Sequence, residues 1–135
     1  MSLAATTLVT MLDGSRKQIN NVQIGDRLLG KDGIVRIIDI VSEEVDAMAH
    51  LVLENGYEMY ASYLQPVLSE EGYVQVKHIT PQETAAVYID DTSKVRRVSS
   101  VPGKRAVYQL KTEDSRTYYA NGIIVGDIET ERNIK

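Results

Sequence analysis

The stretch YYANGIIVGD, residues 118–127, carries the clearest structural signal in the sequence. Two short runs of aromatic and branched side chains flank Asn121-Gly122, and Asn-Gly favours the positive φ angles of the type I′ turn that joins two antiparallel strands. The stretch therefore predicts a β-hairpin. It ends at Gly126-Asp127, a pair that the hairpin itself does not require, so these two residues are candidates for another role.

The same kind of dipeptide recurs along the chain and predicts further hairpins. Asp-Gly or Asn-Gly lies between runs rich in Val, Ile, Leu, Tyr or Thr at Asp13-Gly14, Asp32-Gly33 and Asn55-Gly56. Additional turns are predicted within 69–76 (SEEGYVQV) and within 111–119 (KTEDSRTYY). So many turns, separated by short strand-forming runs, predict an all-β domain.

The strands between these turns differ in how they are expected to be buried. Residues 33–41 (GIVRIIDIV) are almost continuously apolar, whereas residues 106–112 (AVYQLKT) alternate more clearly. We expect the long strands to bend and to contribute to two sheets. The exception is the run containing Ile19, Val22 and Ile24, whose spacing predicts one short helical turn.

Composition and charge indicate an ordinary globular domain. With 135 residues, 43% of them hydrophobic, the chain has the size of one domain. A formal net charge of -4 gives no excess of positive charge for binding nucleic acid or an anionic membrane. No apolar run approaches the ~18 residues of a membrane span, and the N-terminus lacks the features of a secretory signal. We therefore expect a cytoplasmic protein.

The residue types that usually hold metals and cofactors are scarce. The chain has no cysteine, which excludes disulfides, thiolate nucleophiles and cysteine-ligated metals. Its two histidines, His50 and His78, are far apart in the sequence and too few for a metal cluster. We therefore expect no cofactor and no metal site, and each histidine is interpreted as a hydrogen-bonding residue on a strand.

Three segments, in the same order, resemble the sequence blocks of one known family. Residues 2–30 resemble an opening block in which a nucleophile and four variable residues precede Thr-x-Val (here Thr7-Leu8-Val9), a hairpin and a Gly-Asp turn. Residues 56–81 resemble a block written T..HP.(L/F), and residues 105–127 resemble a closing block written VYDL.V....(F/Y)..NGI(L/V)VHN. The chain thus resembles the Hint family, the autoprocessing domains of inteins, bacterial intein-like domains and hedgehog proteins.

The resemblance implies a fold and a set of partners. The fold would be a horseshoe of long bent antiparallel strands and hairpins, with pseudo-twofold halves and at most short helical turns. Residues 1–127 would form the single domain, followed by a C-terminal flanking tail at 128–135. The partners would be the flanking polypeptide segments (exteins) in cis, and the domain would act as a monomer without nucleic acid, membrane or cofactor.

The resemblance also implies where the first nucleophile lies. In the family, a Cys or Ser attacks the carbonyl that precedes it and converts an amide into a thioester or ester, which requires a positioned nucleophile and a proton shuttle. Counting back from Thr7 places Ser2 at this position. Ala4 or Ala5 could instead mark a replaced nucleophile, but the spacing favours residue 2.

The middle block departs from the family pattern. Its Thr, which holds the scissile carbonyl, and its His, which hydrogen-bonds the departing nitrogen, correspond to Ser62 and Gln65. A glutamine amide donates and accepts hydrogen bonds but cannot carry a proton near neutral pH. General-acid help worth roughly 10²–10⁴ in rate would therefore be missing.

The closing block departs from the pattern at its last two positions. Where the family has His and Asn, this chain has Gly126 and Asp127. The family's Asn amide nitrogen attacks its own backbone carbonyl, whereas a carboxylate is a weaker nucleophile and glycine supplies no proton donor. Ile128 follows where splicing members place Cys, Ser or Thr, so no side chain can accept the acyl group.

These departures leave two interpretations open. The chain is a self-processing domain that is inactive or limited to slow terminal cleavage, or it is a non-catalytic β module for protein interaction or packing in a larger polypeptide. An aspartic protease is a third class, suggested by Asp91-Thr92-Ser93. It is disfavoured because a chain this short would have to dimerise to pair two carboxylates, and because serine stands where the Asp-Thr-Gly loop has glycine.

Overall fold

The computed structural model describes residues 2–127 and is built almost entirely from antiparallel strands. The strands are β1 Leu3–Ala4, β2 Leu8–Thr10, β3 Arg16–Gln18, β4 Arg27–Gly30, β5 Gly33–Leu53, β6 Glu58–Ala61, β7 Pro66–Ser69, β8 Gly72–Gln75, β9 Ala85–Tyr88, β10 Asp91–Thr112, β11 Tyr118–Ala120 and β12 Ile123–Val125. The helical segments of the described chain are 3₁₀ turns at Ile19–Asn21, Val76–His78 and Glu113–Ser115, and none is long and apolar enough to cross a membrane. The all-β prediction is confirmed. The predicted tail, 128–135, lies outside the described residues.

Two long strands form the frame of the domain. β5 has 21 residues and β10 has 22, and they pair antiparallel from Ile37 opposite Thr112 to Leu53 opposite Val95. β5 also pairs with β4 and β6, whereas β10 also pairs with β1 and β9. Both strands have buried residues near their ends and exposed residues in the middle. The expectation that long strands serve more than one sheet is therefore confirmed.

The strand order brings the two ends of the described chain to one segment. β1 lies between β6 and β10, with Leu3 opposite both Ala61 and Tyr108. β12 pairs with β7, with Val125 opposite Val67. β6 ends at Ala61 and β7 begins at Pro66, so residues 62–65 connect the neighbour of the first strand to the neighbour of the last.

The core is aliphatic, with a single fully buried aromatic side chain, that of Tyr118, among the largest buried residues of the described chain. The core side chains come from alternating positions of the short strands and from both ends of the two long strands. Its fully buried large members also include Leu3, Ile19, Leu28, Ile37, Met48, Leu51, Leu53, Met59, Leu110 and Ile123. Burial of these side chains, worth roughly 1.5–3 kcal/mol each, is the main force that holds the strands together.

The predicted hairpins are present, but the turns differ in detail. Ala120 pairs with Ile123, and both Asn121 and Gly122 have positive φ angles (50° and 83°), as a type I′ turn requires. At the other three predicted dipeptides only the glycine has a positive φ angle, whereas the preceding Asp or Asn does not. Those three turns are therefore not of type I′, although each joins the expected strands.

The predicted helical turn is present as the 3₁₀ turn Ile19–Asn21. Ile19 and Val22 are buried, as the spacing suggests. Ile24 is 63% exposed, so its inclusion in the apolar set was wrong. The 3₁₀ turn covers three residues only, and the following chain is extended at Val22, which turns Ile24 away from the core.

Candidate functional site

The beginning of the described chain is buried against the segment between β6 and β7. Ser2 is 0% exposed, its N–H donates to Ser62 Oγ at 3.0 Å, and its carbonyl accepts from the Ser62 N–H at 2.8 Å. These bonds continue the pairing of Leu3 with Ala61. The Ser2 hydroxyl oxygen is also buried and has no hydrogen-bond partner within residues 2–127. Ser2 and Ser62 are thus hydrogen-bonded neighbours in the candidate site.

A tight turn carries Gln65 from this neighbour into the interior. The Gln65 N–H donates to Ser62 O at 3.1 Å, and the Gln65 carbonyl accepts from Val76 N–H at 3.1 Å. Tyr63 and Leu64, at the outside of the turn, are exposed. The Gln65 side chain is 1% exposed, so the turn directs this polar residue inward.

The amide of Gln65 reaches the C-terminal strand. Its Nε2 donates to Gly126 O at 2.9 Å and to Pro66 O at 3.1 Å, which uses both of its hydrogens. Gly126 N–H in turn donates to Pro66 O at 3.1 Å. Ser62, Gln65 and Gly126 are therefore linked directly, and Ser2 joins them through Ser62.

Asp127 is buried beside the last residue of β10. It is 2% exposed, and its Oδ2 accepts from Thr112 N–H at 2.9 Å and lies 2.9 Å from Thr112 Oγ1. Thr112 was not among the predicted site residues. The sequence does show a departure at this position, because the closing block VYDL.V has Val where this chain has Thr112. The departure gains a meaning only through the contact of the Thr112 hydroxyl with Asp127, 15 residues later in the chain.

The charge of Asp127 also affects two tyrosines. Burial raises the pKa of Tyr118, and the nearby Asp127 carboxylate raises it further. Burial likewise raises the pKa of Tyr73, with smaller contributions from Asp32 and Asp127. Both phenols stay neutral at physiological pH, so each is a hydrogen-bonding group and not a second charge near Asp127.

The remaining predicted residues have other surroundings. His50 lies on β5 as predicted, but its buried Nε2 has no hydrogen-bond partner within residues 2–127 and is 3.7 Å from Glu58 Oε1. Its ring stacks on that of Tyr60 with centroids 4.2 Å apart. His78 is exposed and lies in the 3₁₀ turn Val76–His78, so the prediction that it lies on a strand was wrong. Within residues 2–127 no group of three or more acidic or histidine side chains is arranged to hold a metal ion.

The alternative nucleophile and protease positions have simple local roles. Ala4 lies in β1 and Ala5 in the turn after it, where the Ala4 carbonyl accepts from Thr7 N–H. Asp91 is exposed, and its Oδ1 accepts from the N–H of the next residue, Thr92, at 2.7 Å. This bond is typical of a turn at the start of a strand.

Comparisons by sequence give no relative: no family model matches the chain, and no curated protein matches it. Solved structures do match. The gp41-1 intein has a TM-score of 0.83 at 19% identity, covering 92% of this chain and 96% of that one. A bacterial intein-like domain from Clostridium thermocellum has a TM-score of 0.84 at 17% identity, covering 93% and 98%. A DnaB intein from Synechocystis sp. PCC 6803 has a TM-score of 0.81 at 14% identity, covering 93% and 97%.

The matches cover almost the whole of each chain, so they concern the entire arrangement of strands and not one hairpin. At identities this low they establish the fold alone. The chain has the all-β fold of these inteins and of the bacterial intein-like domain.

Proposed function

We propose that the chain is an intein-like autoprocessing domain of a larger polypeptide, whose chemistry is limited to slow cleavage after Asp127. The observation that supports this most is the hydrogen-bonded path from Ser2 through Ser62 and Gln65 to Gly126, which links both ends of the domain. The flanking polypeptide would be the partner in cis. The predictions of a monomer in the cytoplasm, without nucleic acid or membrane, belong to the same proposal.

Splicing is not part of the proposed activity, because the groups that carry protons and acyl chains are replaced. The Gln65 amide cannot protonate a leaving nitrogen, which removes a contribution of roughly 10²–10⁴ in rate from the step at Ser2. Gly126 has no side chain to assist the last step, and Ile128 offers no hydroxyl or thiol to accept an acyl group. Losses at successive steps multiply, so the complete reaction is suppressed.

Cleavage after Asp127 needs fewer groups. A side-chain carboxylate oxygen attacks the backbone carbonyl carbon of the same residue, and the bond to the nitrogen of Ile128 breaks. The nitrogen takes a proton from solvent and leaves as an amine. The five-membered cyclic anhydride then reacts with water, which regenerates the carboxyl groups of Asp127, so the net reaction is hydrolysis of one peptide bond.

The second candidate function is a non-catalytic β module. The hydrogen bonds of Gln65 and Asp127 favour it, because they can serve the fold alone. Both hydrogens of the Gln65 amide bind backbone carbonyl oxygens, and one oxygen of the Asp127 carboxylate binds the backbone N–H and the hydroxyl of Thr112. Such a site would stabilise the fold without any reaction.

An experiment separates the two candidates. The 135-residue chain is expressed between an N-terminal and a C-terminal tag, and intact masses are followed for days at neutral pH. We expect slow release of a fragment that begins at Ile128, no ligated tags, and no release from the D127A variant. An unchanged mass in a protein that unfolds cooperatively would support the non-catalytic module, whereas ligated tags would contradict the proposed loss of splicing.

Restoring the family's residues tests the assignment of positions. The variant with S2C, Q65H, G126H and D127N is expected to cleave within hours at one or both ends of the domain. Circular dichroism and urea unfolding establish that the variant is folded. A folded variant that stays intact would mean that these four positions are not the reactive ones.

A further inference from the structure

Thr112 contacts the Asp127 side chain through two of its groups. It is the last residue of β10 and is 1% exposed. Its backbone N–H and its hydroxyl oxygen both lie 2.9 Å from the same carboxylate oxygen, Oδ2. Two donors from one residue on one oxygen restrict rotation of the carboxylate.

The hydroxyl of Thr112 has two acceptors within reach but only one hydrogen. One acceptor is Asp127 Oδ2 at 2.9 Å, and the other is the carbonyl oxygen of Arg116 at 3.1 Å. Hydrogen bonds to a charged acceptor are stronger than those to a neutral carbonyl. The hydroxyl therefore donates to the carboxylate when Asp127 is ionised.

The contact joins two departures from the family pattern. The closing block has Val at the position of Thr112 and Asn at the position of Asp127, and this chain differs at both. Valine and threonine have nearly the same shape, but only threonine brings a hydroxyl. Two of the residues at which this chain departs from the closing block are thus in contact.

We infer that Thr112 is the positioning residue for the carboxyl group of Asp127. By holding Oδ2 with two donors, it fixes the rotation of the carboxyl group relative to the backbone carbonyl carbon of residue 127, which that group attacks. This inference rests on the proposed cleavage after Asp127 and assigns a further residue to it.

The same arrangement orients an amide. In a D127N variant only the side-chain oxygen can accept from the two Thr112 donors, because the amide nitrogen is itself a donor. Thr112 then turns the nitrogen toward the position that Oδ1 occupies in the native chain. The positioning role can therefore be measured in the D127N background as well, where the nucleophile is stronger.

The test compares T112V with T112S and with T117V in the tagged chain, in the native and the G126H/D127N backgrounds. T112V keeps the backbone N–H but loses the hydroxyl, so cleavage after residue 127 should slow by roughly tenfold, the effect of losing a hydrogen bond to a reacting group. T112S keeps the hydroxyl and should cleave within about threefold of the parent. Thr117 is also buried, and its hydroxyl accepts from Lys31 N–H, so T117V loses a buried hydroxyl without touching Asp127.

A second measurement does not depend on cleavage. In ¹⁵N-resolved spectra the Thr112 amide proton resonance should move in D127A, which removes its carboxylate acceptor, and should stay near its native position in T117V. Equal cleavage rates of T112V, T112S and T117V would overturn the inference. If no variant cleaves in either background while the Thr112 amide resonance moves in D127A and not in T117V, the contact stands and the proposed cleavage is wrong. A Thr112 amide resonance that is the same in D127A and in the native chain would refute the contact itself.

Discussion

The side-chain nitrogen of Gln65 and the backbone oxygen of Gly126 lie 2.9 Å apart, although 61 positions separate the two residues in the chain. Gln65 lies in the segment between β6 and β7, and Gly126 follows β12. The bond is buried, so it ties the end of the domain to the segment that also binds Ser2. Its loss should be visible in the stability of the whole fold.

Replacing Gln65 with leucine should destabilise the domain by about 1–3 kcal/mol. The substitution keeps most of the side-chain volume but removes both donated hydrogen bonds. Pro66 O retains a bond from Gly126 N–H, whereas Gly126 O loses the side-chain donor and stays buried. Urea unfolding, with the midpoint and slope fitted separately, measures the change.

Q23L is the matched control for this substitution. Gln23 is exposed, so the same exchange of an amide for an apolar group at that position should change stability by less than about 0.5 kcal/mol. Equal midpoints for Q65L and Q23L would contradict a structural role for the Gln65 amide.

Removing the hydroxyl of Ser2 should not destabilise the protein. The oxygen is buried and has no hydrogen-bond partner in the described chain, so S2A removes an unsatisfied polar group and should raise the free energy of unfolding by up to about 1 kcal/mol. S62A is the comparison, because it removes the acceptor of the Ser2 N–H and should lower that free energy by about 1 kcal/mol. If S2A proves less stable than S62A, the Ser2 hydroxyl must have a partner in the folded protein.

A side chain cannot be accommodated at Gly30, the last residue of β4. A Cβ atom there would collide with the backbone carbonyl oxygen of Thr117 and would lie 2.8 Å from a methyl carbon of Val35. Because the backbone has to move, G30A should lower the free energy of unfolding by about 2–3 kcal/mol.

G14A is the control. Gly14 has φ +86°, and nothing lies within 4 Å of an added Cβ. This substitution causes backbone strain alone and should lower the free energy of unfolding by only about 1 kcal/mol. Thermal unfolding of the two variants ranks these effects, and the opposite order would contradict the close approach of β4 to Thr117.

The sequence predicts the strands better than it predicts the geometry of their turns. Asn121-Gly122 forms the expected type I′ turn, since both residues tolerate positive φ angles. At Asp13-Gly14 and Asp32-Gly33 only the glycine has a positive φ angle. The pairing of the flanking strands, and not the dipeptide, sets the lengths of these two loops. Local chemistry thus indicates that a turn is present, while tertiary pairing decides its type.

The same division applies to the candidate site. The proximity of Ser62, Gln65 and Gly126 could be predicted because each has a fixed place in a sequence pattern, and hydrogen bonds join them in the structure. Thr112 was missed, because its departure from the closing block gains a meaning only through a contact with Asp127 that exists in the folded chain. The predicted burial of Ile24 was wrong for a related reason, because the spacing of apolar residues does not show where a helical turn ends.

The burial of Tyr118 should make the domain sensitive to alkaline pH. Its pKa is raised above the usual tyrosine value of 10.0 in the folded state, first by burial and then by the charge of Asp127. The stabilising contribution is therefore complete below pH 10 and is lost as the pH rises further, because only the unfolded chain then ionises readily. The loss is at most about 1.4 kcal/mol per pH unit.

Urea unfolding between pH 8 and 11 measures this effect. The free energy of unfolding should fall more steeply with pH for the native chain than for Y118F. Y73F is the control because Tyr73 is partly exposed, and its free energy of unfolding should fall almost as steeply as that of the native chain. Parallel declines of the native chain and Y118F would mean that Tyr118 titrates normally and is accessible to solvent.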